Sequence, residues 1–144
     1  MKQVVTVRRR ALEANDAQAD VLRRRFADAR TLVLNLISSP GSGKTTLLEA
    51  TVSRLSRRLR CAVVEGDVKT ERDADRIRAL GVPAHPILTS GACHLDARQV
   101  AQALDTVELL PADLLFIENV GNLVCPAGYD LGEDFKVALL SVAE

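Results

Sequence analysis

The sequence is poor in aromatic residues and has no tryptophan, so its core must be built from aliphatic side chains. Aromatic residues account for 3% of the 144 residues, whereas apolar residues as a whole account for 47%. That apolar share is ordinary for a soluble globular protein, and the length is that of one domain. We therefore expect a single domain, residues 1–144, with a core of Leu, Val, Ile and Ala.

An excess of basic residues is also missing. Nineteen Lys and Arg residues balance nineteen Asp and Glu residues. Nucleic-acid-binding domains usually carry a basic excess, so we expect no nucleic-acid partner. The short basic run at residues 8–10 is interpreted as the solvated start of a helix.

Long apolar runs are absent as well. None approaches the length of a membrane-spanning helix, and no apolar signal core follows the N-terminal charges. We therefore expect a cytoplasmic protein with no membrane partner. The three cysteines, Cys61, Cys93 and Cys125, are odd in number and do not resemble a disulfide framework. In a reducing compartment such residues are core thiols, catalytic groups or metal ligands.

Helical and strand patterns alternate along the chain. Helices are predicted for residues 9–29, 44–59, 70–80 and 96–104, and strands for residues 31–37, 61–65, 84–88, 113–118 and 136–142. Asp96 and Gln99 have the spacing of a helix capping box. Strands that alternate with helices predict an α/β fold, in which a mostly parallel sheet lies between two helical layers. The helix 9–29 then precedes a core of residues 31–144.

A glycine-rich turn separates the first strand from the helix that begins at Lys44. The segment 38–45, SSPGSGKT, fits the Walker A phosphate-binding pattern except that Ser38 replaces its first glycine. Gly41 and Gly43 allow backbone N–H groups to surround phosphate oxygens, and the helix N-terminus adds partial positive charge. Lys44 is expected to reach the β- and γ-phosphates, and the Thr45 hydroxyl to ligate Mg²⁺. The motif predicts a nucleoside triphosphate site without specifying the base, with contacts from Ser39, Gly41, Ser42, Gly43, Lys44, Thr45 and Thr46.

A phosphate loop of this kind also needs a carboxylate that anchors Mg²⁺. Glu118 ends the apolar strand LLFIE and is the candidate, and Gly121 follows where a backbone N–H could meet a γ-phosphate. The alternative is that Glu118 only caps a loop. Among the acids near the end of the strand 61–65, Asp67 and Asp73 are preferred as a switch that closes over Mg²⁺, although each is equally well explained as a solvated acid. The expected catalytic residues are Lys44, Asp73 and Glu118.

Cys93, His94 and Cys125 form a candidate metal site. A thiolate beside an imidazole suits Zn²⁺ or Ni²⁺, and Cys125 lies seven residues beyond Glu118 in a loop rich in Gly and Pro. The helix that starts at Asp96 is expected to lower the pKa of Cys93. Because adjacent side chains diverge, we expect a site shared across a two-fold axis, so that metal binding depends on dimerisation.

Spacing alone leaves an alternative for these cysteines, which is that Cys93 and Cys125 are small buried residues. Cys61 opens a predicted buried strand and is interpreted as a core residue. His85 precedes a proline within a strand and is interpreted as structural.

The segments LNLISSPGSGKTTLL, EGDVKTERDADRIRALGVPA, SGACHLDA and FIENVGNLVCPAGYDLGEDFKVALLSV resemble the HypB family. Its members are nickel-insertion GTPases of [NiFe]-hydrogenase maturation, related to the urease accessory GTPase UreG. The resemblance covers nearly the whole chain. It also accounts for Ser38 and for a glutamate at position 118, since both occur in this family.

The resemblance implies GTP binding and hydrolysis with Mg²⁺, and a homodimer that depends on nucleotide or metal. The magnesium and switch acids would be Asp67, Asp73 and Glu118. The ligands of a Ni²⁺ or Zn²⁺ ion at the dimer interface would be Cys93, His94 and Cys125. The implied partners are the hydrogenase large subunit and a companion nickel-maturation protein.

Two departures from the family pattern leave other functions open. The chain has no N-terminal cysteine motif or histidine-rich store, and it lacks the Asn-Lys-x-Asp motif that reads guanine. It is therefore interpreted as a fragment that lacks the C-terminal strand-helix units of the P-loop fold. The alternatives are a metal-binding scaffold that does not hydrolyse nucleotide and an ATP-dependent small-molecule kinase.

Overall fold

Helices and strands alternate through the computed structural model, which describes residues 2–68 and 72–142. The elements are α1 (Lys2–Asp28), β1 (Leu32–Ser38), α2 (Lys44–Leu55), β2 (Cys61–Val68), α3 (Arg72–Arg78), β3 (Ala84–Leu88), α4 (Ala97–Thr106), β4 (Leu114–Glu118), a short 3₁₀ helix (Pro126–Gly128) and β5 (Phe135–Leu139). Each predicted helix and strand is present.

The five strands form one parallel sheet in the order β3-β2-β4-β1-β5. In its register Glu118 of β4 lies opposite both Leu36 of β1 and Glu65 of β2. The carboxyl ends of the three central strands therefore meet at one edge of the sheet, which is where ligands bind in open α/β folds.

Helices cover both faces of this sheet, which confirms the predicted three-layer fold. On one face α1 and α4 bury side chains such as Phe26 against Val33 and Ile117. On the other face α2 and α3 bury side chains such as Leu48 against Phe116. Full burial of an aliphatic or aromatic side chain contributes roughly 1.5–3 kcal/mol, so these two clusters hold the layers together.

Several predicted element boundaries were wrong, including the end of β2, which continues to Val68 instead of residue 65. Helix α1 begins at Lys2 instead of residue 9, because its first turns are exposed and carry no periodic pattern of buried residues. The basic run at residues 8–10 is therefore inside a helix and exposed to solvent. Helix α2 ends at Leu55 instead of residue 59, and β5 spans Phe135–Leu139 instead of residues 136–142. Residues 70 and 71 of the predicted third helix lie outside the described residues.

Side chains of helix α1 hold the loop between β4 and β5, which carries part of the candidate site. The side chain of Asn15 donates to the Asp130 carbonyl at 2.8 Å and accepts from the N–H of Ala97 at 2.8 Å. Arg23 contacts both carboxylate oxygens of Asp130, at 2.8 and 2.7 Å. Although α1 is long, no helix among the described residues combines the length and apolar character needed to cross a membrane.

Gly132 is predicted to be essential to this attachment. Its φ is +75°, and a Cβ at this position would lie 2.9 Å from the Ala19 carbonyl oxygen of α1. Gly132→Ala combines left-handed strain with a backbone clash, so we expect the free energy of unfolding to fall by about 2 kcal/mol or more in equilibrium urea denaturation.

Gly128→Ala is the matched control. Gly128 lies in the same loop region, at the end of the 3₁₀ helix, and a Cβ there meets no atom within 4 Å. We expect this variant to unfold at nearly the same urea concentration as the wild type. Equal losses in the two variants would contradict the packing of the loop on α1.

Candidate functional site

The phosphate loop connects β1 to α2 with two glycines in left-handed conformations. Gly41 has a φ of +73° and Gly43 a φ of +88°, which residues with a Cβ rarely adopt. Gly43 is the N-cap of α2, and no side chain caps this end of the helix. The first backbone N–H groups of α2 therefore remain available to an anion.

Serine hydroxyls hold the loop in shape. Ser38 is fully buried, and its hydroxyl donates to the Ser39 carbonyl at 2.9 Å. The Ser39 and Ser42 hydroxyls are 2.7 Å apart, and Ser42 donates to the Ser39 carbonyl at 2.8 Å. Ser38 ends β1 with an ordinary negative φ, so the usual glycine is not needed at this position.

Glu118 lies directly beside the loop, as predicted. The Thr45 hydroxyl donates to Glu118 Oε1 at 2.7 Å, and Glu118 Oε2 is buried without a hydrogen-bond partner among the described residues. Lys44 is only 5% exposed. A buried carboxylate oxygen beside a hydroxyl is a donor set that Mg²⁺ accepts, so these residues fit the ion that the motif implies.

A cleft of about 240 Å³ opens over these groups. Its lining consists of Ser38, Gly41, Ser42, Gly43, Lys44, Thr45, Thr46 and Glu118. The structure thus brings together seven of the predicted nucleotide contacts: both glycines and Ser42, Lys44, Thr45, Thr46 and Glu118.

Glu65 is a second buried acid at this site, and the sequence analysis did not select it. Its carboxylate is fully buried next to Glu118, because the two residues are paired across the β2–β4 register. Burial raises the pKa of Glu65 to about 10, and the neighbouring carboxyl group of Glu118 adds to the rise. The sequence does contain a sign of this pairing. Glu65 and Glu118 each follow the apolar residues of a strand, and the two strands are neighbours in the sheet.

The remaining predicted nucleotide residues lie farther from the cleft or outside the description. Asp73 is half-buried in the first turn of α3, where it pairs with Arg76, and it does not line the cleft. Gly121 lies in the loop after β4 and does not line the cleft. The Ser39 hydroxyl is bonded to that of Ser42 inside the phosphate loop, and Ser39 does not line the cleft either. Asp67 is in β2, but its side chain is outside the described part of the structure. The roles of these residues stay predictions.

Cys93, His94 and Cys125 form a cluster within one chain. Their ligand atoms all lie within 4.8 Å of one another, and Cys93 Sγ is 3.4 Å from His94 Nδ1. The expectation that adjacent side chains diverge was therefore wrong for Cys93 and His94. Three donors from one chain assemble without a two-fold axis, and the sharing of an ion between protomers stays a prediction.

Local hydrogen bonds shape the loop of Cys125. The side chain of Asn122 accepts from the N–H groups of Val124 at 2.8 Å and Cys125 at 3.3 Å. The 3₁₀ helix that follows brings Tyr129 onto His94, with ring centroids 3.8 Å apart and planes inclined by 22°. The sequence analysis missed Tyr129, because no local pattern links residues that are far apart in sequence.

The expected low pKa of Cys93 was also wrong. A hydrogen bond with Cys125 raises the pKa of the Cys93 thiol, and desolvation and the charge of Cys125 act in the same direction. The N-terminus of α4 is occupied by the Asp96 carboxylate, which accepts from the N–H of Gln99 at 2.8 Å. Burial lowers the pKa of His94, which favours the neutral imidazole that a metal ion requires.

The other candidate ligands lie apart from this cluster. Cys61 is 5% exposed at the start of β2, which confirms that it is a core residue. His85 lies in β3, at the far edge of the sheet. The cluster of Cys93, His94 and Cys125 is the one group of this kind within the described ranges.

This chain is similar to a known family of nucleotide-binding proteins over most of its length. A family model described as the CobW/HypB/UreG nucleotide-binding domain matches residues 31–141. The hydrogenase maturation factor HypB of Escherichia coli K12 is 56% identical over 133 residues, which is 92% of this chain and 46% of that protein. The hydrogenase/urease maturation factor HypB of Helicobacter pylori 26695 is 46% identical over 147 residues, 99% of this chain and 60% of that protein.

Solved structures agree with these relatives. The crystal structure of Helicobacter pylori HypB in complex with nickel has a TM-score of 0.83 and 47% identity, and covers 90% of this chain and 61% of that one. The structure of HypB from Archaeoglobus fulgidus has a TM-score of 0.82 and 38% identity, with 91% and 64% coverage. The chain spans about half the length of the curated relatives it matches.

Nucleotide binding is predicted to depend on Lys44. Lys44→Ala removes a charge-assisted contact to phosphate that contributes roughly 1.5–3 kcal/mol, so nucleotide affinity should fall by about ten-fold to a hundred-fold. Lys136→Ala is the control, because Lys136 lies in β5, pairs with Glu133 and does not line the cleft. Isothermal titration calorimetry checks both variants, and an unchanged affinity for Lys44→Ala would rule out the phosphate site.

The three cysteines are predicted to differ in their contribution to metal affinity. Cys93→Ser and Cys125→Ser each replace a thiolate donor, so the affinity for Ni²⁺ or Zn²⁺ should fall by at least about ten-fold. Cys61→Ser should keep the wild-type affinity, because Cys61 is buried at the start of β2. Competition with a chromophoric chelator measures all three, and loss of binding in the Cys61 variant alone would contradict the assignment.

Proposed function

The chain belongs to the CobW/HypB/UreG family, and on that premise we propose that it is a GTP-binding and GTP-hydrolysing metallochaperone that delivers nickel during [NiFe]-hydrogenase maturation. One observation carries the proposal. The loop that follows Glu118 of the phosphate site also contains Cys125 of the thiol cluster, only seven residues away. A nucleotide site and a soft metal site on one loop suit a protein that binds and releases a metal ion under nucleotide control.

The nucleotide half of the proposal assigns a role to each group in the cleft. The backbone N–H groups between Gly41 and Thr45 bind phosphate oxygens, and Lys44 balances charge on the β- and γ-phosphates. Thr45 and Glu118 hold Mg²⁺, which neutralises phosphate charge when it is bound. Asp73 and Asp67 act as the switch acids, and Gly121 offers its N–H to the γ-phosphate.

Hydrolysis then needs little covalent participation from the protein. Water attacks the γ-phosphorus, the bond from that phosphorus to the β–γ bridging oxygen breaks, and GDP and phosphate leave. Lys44 and the N-terminus of α2 stabilise the charge that moves onto the leaving oxygen. Guanine as the base follows from the family.

In the proposed function, Ni²⁺ is the ion that the protein delivers and not a permanent cofactor. Two thiolates and a neutral imidazole bind Ni²⁺ or Zn²⁺, and three protein donors leave a coordination position open through which the ion can pass to another ligand. Burial lowers the pKa of His94, which favours the neutral imidazole, and the ring of Tyr129 stacks on it. Cys93 is exposed, so the cluster is accessible from solvent.

The partners of the proposed function follow from the family. They are a homodimer that depends on nucleotide or metal, the hydrogenase large subunit and a companion nickel-maturation protein. We place the protein in the cytoplasm, where a reducing environment would keep the thiols of Cys93 and Cys125 available as ligands.

The proposal predicts that GTP binds more tightly than ATP and is hydrolysed in a reaction that requires Glu118. Glu118→Gln removes the carboxylate charge beside Thr45, so phosphate release from GTP should fall by about 100-fold. Glu108→Gln, an exposed change outside the cleft, is the matched control and should leave the rate unchanged.

Nucleotide titrations and a phosphate-release assay on the purified chain distinguish this function from its alternatives. Metal binding without any phosphate release would indicate a scaffold. A preference for ATP, with transfer of phosphate to a small molecule, would indicate a kinase. Either result would replace the proposed function.

A further inference from the structure

A buried asparagine joins the nucleotide strands to the metal segment. Asn119 follows Glu118 and is fully buried. Its side-chain oxygen accepts from the N–H of Leu95 at 3.1 Å, and its side-chain nitrogen donates to Asn35 Oδ1 at 3.1 Å. Leu95 is the neighbour of the ligand His94, and Asn35 is on β1, three residues before the phosphate loop begins at Ser38.

Only an amide can make this set of contacts. The Asn119 side-chain oxygen also accepts from the N–H of Val120 at 2.9 Å. It therefore accepts from two backbone donors, while the side-chain nitrogen donates to Asn35 Oδ1. An aspartate would lose the bond to Asn35, and an apolar residue would leave the Leu95 N–H and Asn35 without partners. Unpaired buried groups are costly, which explains why a side chain with both a donor and an acceptor occupies this buried position.

Leu95 is held on its other side by β2. A Cβ at Gly66 would lie 2.4 Å from Leu95 Cδ1, so the Leu95 side chain fills the space over Gly66. Gly66 follows Glu65, the acid paired with Glu118. The segment that carries His94 is therefore fixed between two strands whose ends carry the acids of the nucleotide site, and it cannot shift without breaking one of these contacts.

We propose that Asn119 is the positioning residue that couples the nucleotide site to the metal site. The inference rests on the proposed function and adds to it the group through which the two ligands act on each other. A change at Glu118 moves the adjacent Asn119, and the hydrogen bond to Leu95 passes that movement to His94. Cys125, on the same loop, moves with it, so the donor set changes as a unit.

The test measures Ni²⁺ affinity with and without a saturating non-hydrolysable GTP analogue and Mg²⁺. In the wild type we expect the analogue to change Ni²⁺ affinity by about five-fold or more, the usual lower range of coupling between sites. In Asn119→Ala the change should fall to within about two-fold of unity. The Ni²⁺–thiolate charge-transfer absorption should respond to the analogue in the wild type and not in the variant.

Thr31→Val is the matched control. Thr31 is also a buried polar residue, and its hydroxyl donates to the Ala112 carbonyl at 2.6 Å, but this bond lies before the start of β1, at the end of the sheet away from both sites. Its loss should destabilise the fold and leave the coupling intact. Asn35→Ala is the second test variant, for use if Asn119→Ala does not fold. It removes the oxygen that accepts from the Asn119 side chain and should also reduce coupling.

The outcomes are distinct. Full coupling in Asn119→Ala or Asn35→Ala would overturn the role of Asn119, and so would equal loss in Thr31→Val. A wild type that binds both ligands without coupling would overturn this inference and leave the proposed function standing. A wild type that does not bind the nucleotide would overturn both.

Discussion

The parallel register of β1, β4 and β2 determines where every group of the nucleotide site lies. It places Glu118 opposite Leu36 and Glu65, so that the phosphate loop and two buried acids meet at one edge of the sheet. A shift of one residue in β4 would turn Glu118 to the opposite face and remove it from Thr45. The apolar side chains on both faces of β4 resist such a shift, because each fits one of the two cores.

Much of the fold could be predicted from the sequence because it rests on local periodicity. Alternating helices and strands, the glycine turn before Lys44 and the strand end at Glu118 are short-range patterns, and the structure confirms each of them. The first turns of α1 could not be predicted, since exposed residues such as Val4 and Val5 form a helix without a buried face. No pattern of burial marks these turns, and β-branched residues such as Val4 and Val5 favour strand over helix.

The candidate site could also be predicted only in part from the sequence. Cys93, His94 and Cys125 are recognisable by chemistry, but what surrounds them depends on contacts between distant segments. Tyr129 reaches His94 only through the 3₁₀ helix, and the Cys125 thiol meets Cys93 only when both loops are folded. For that reason the pKa of Cys93 could not be inferred from its place before α4. A neighbouring thiol decides the direction of the shift, and the sequence does not show that neighbour.

The strand order has a consequence for how the chain folds as it is synthesised. Strand β1 is made early, yet both of its neighbours in the sheet, β4 and β5, are made after residue 113. Until then α1, which packs on Val33, and α2, which packs on Leu36, can cover the two faces of this strand, but both of its edges remain unpaired. Such distant pairings are slow to form, so the sheet is expected to close late, when β4 enters between β1 and β2. The phosphate cradle would then form on the ribosome only after β4 has been made, long after its own residues.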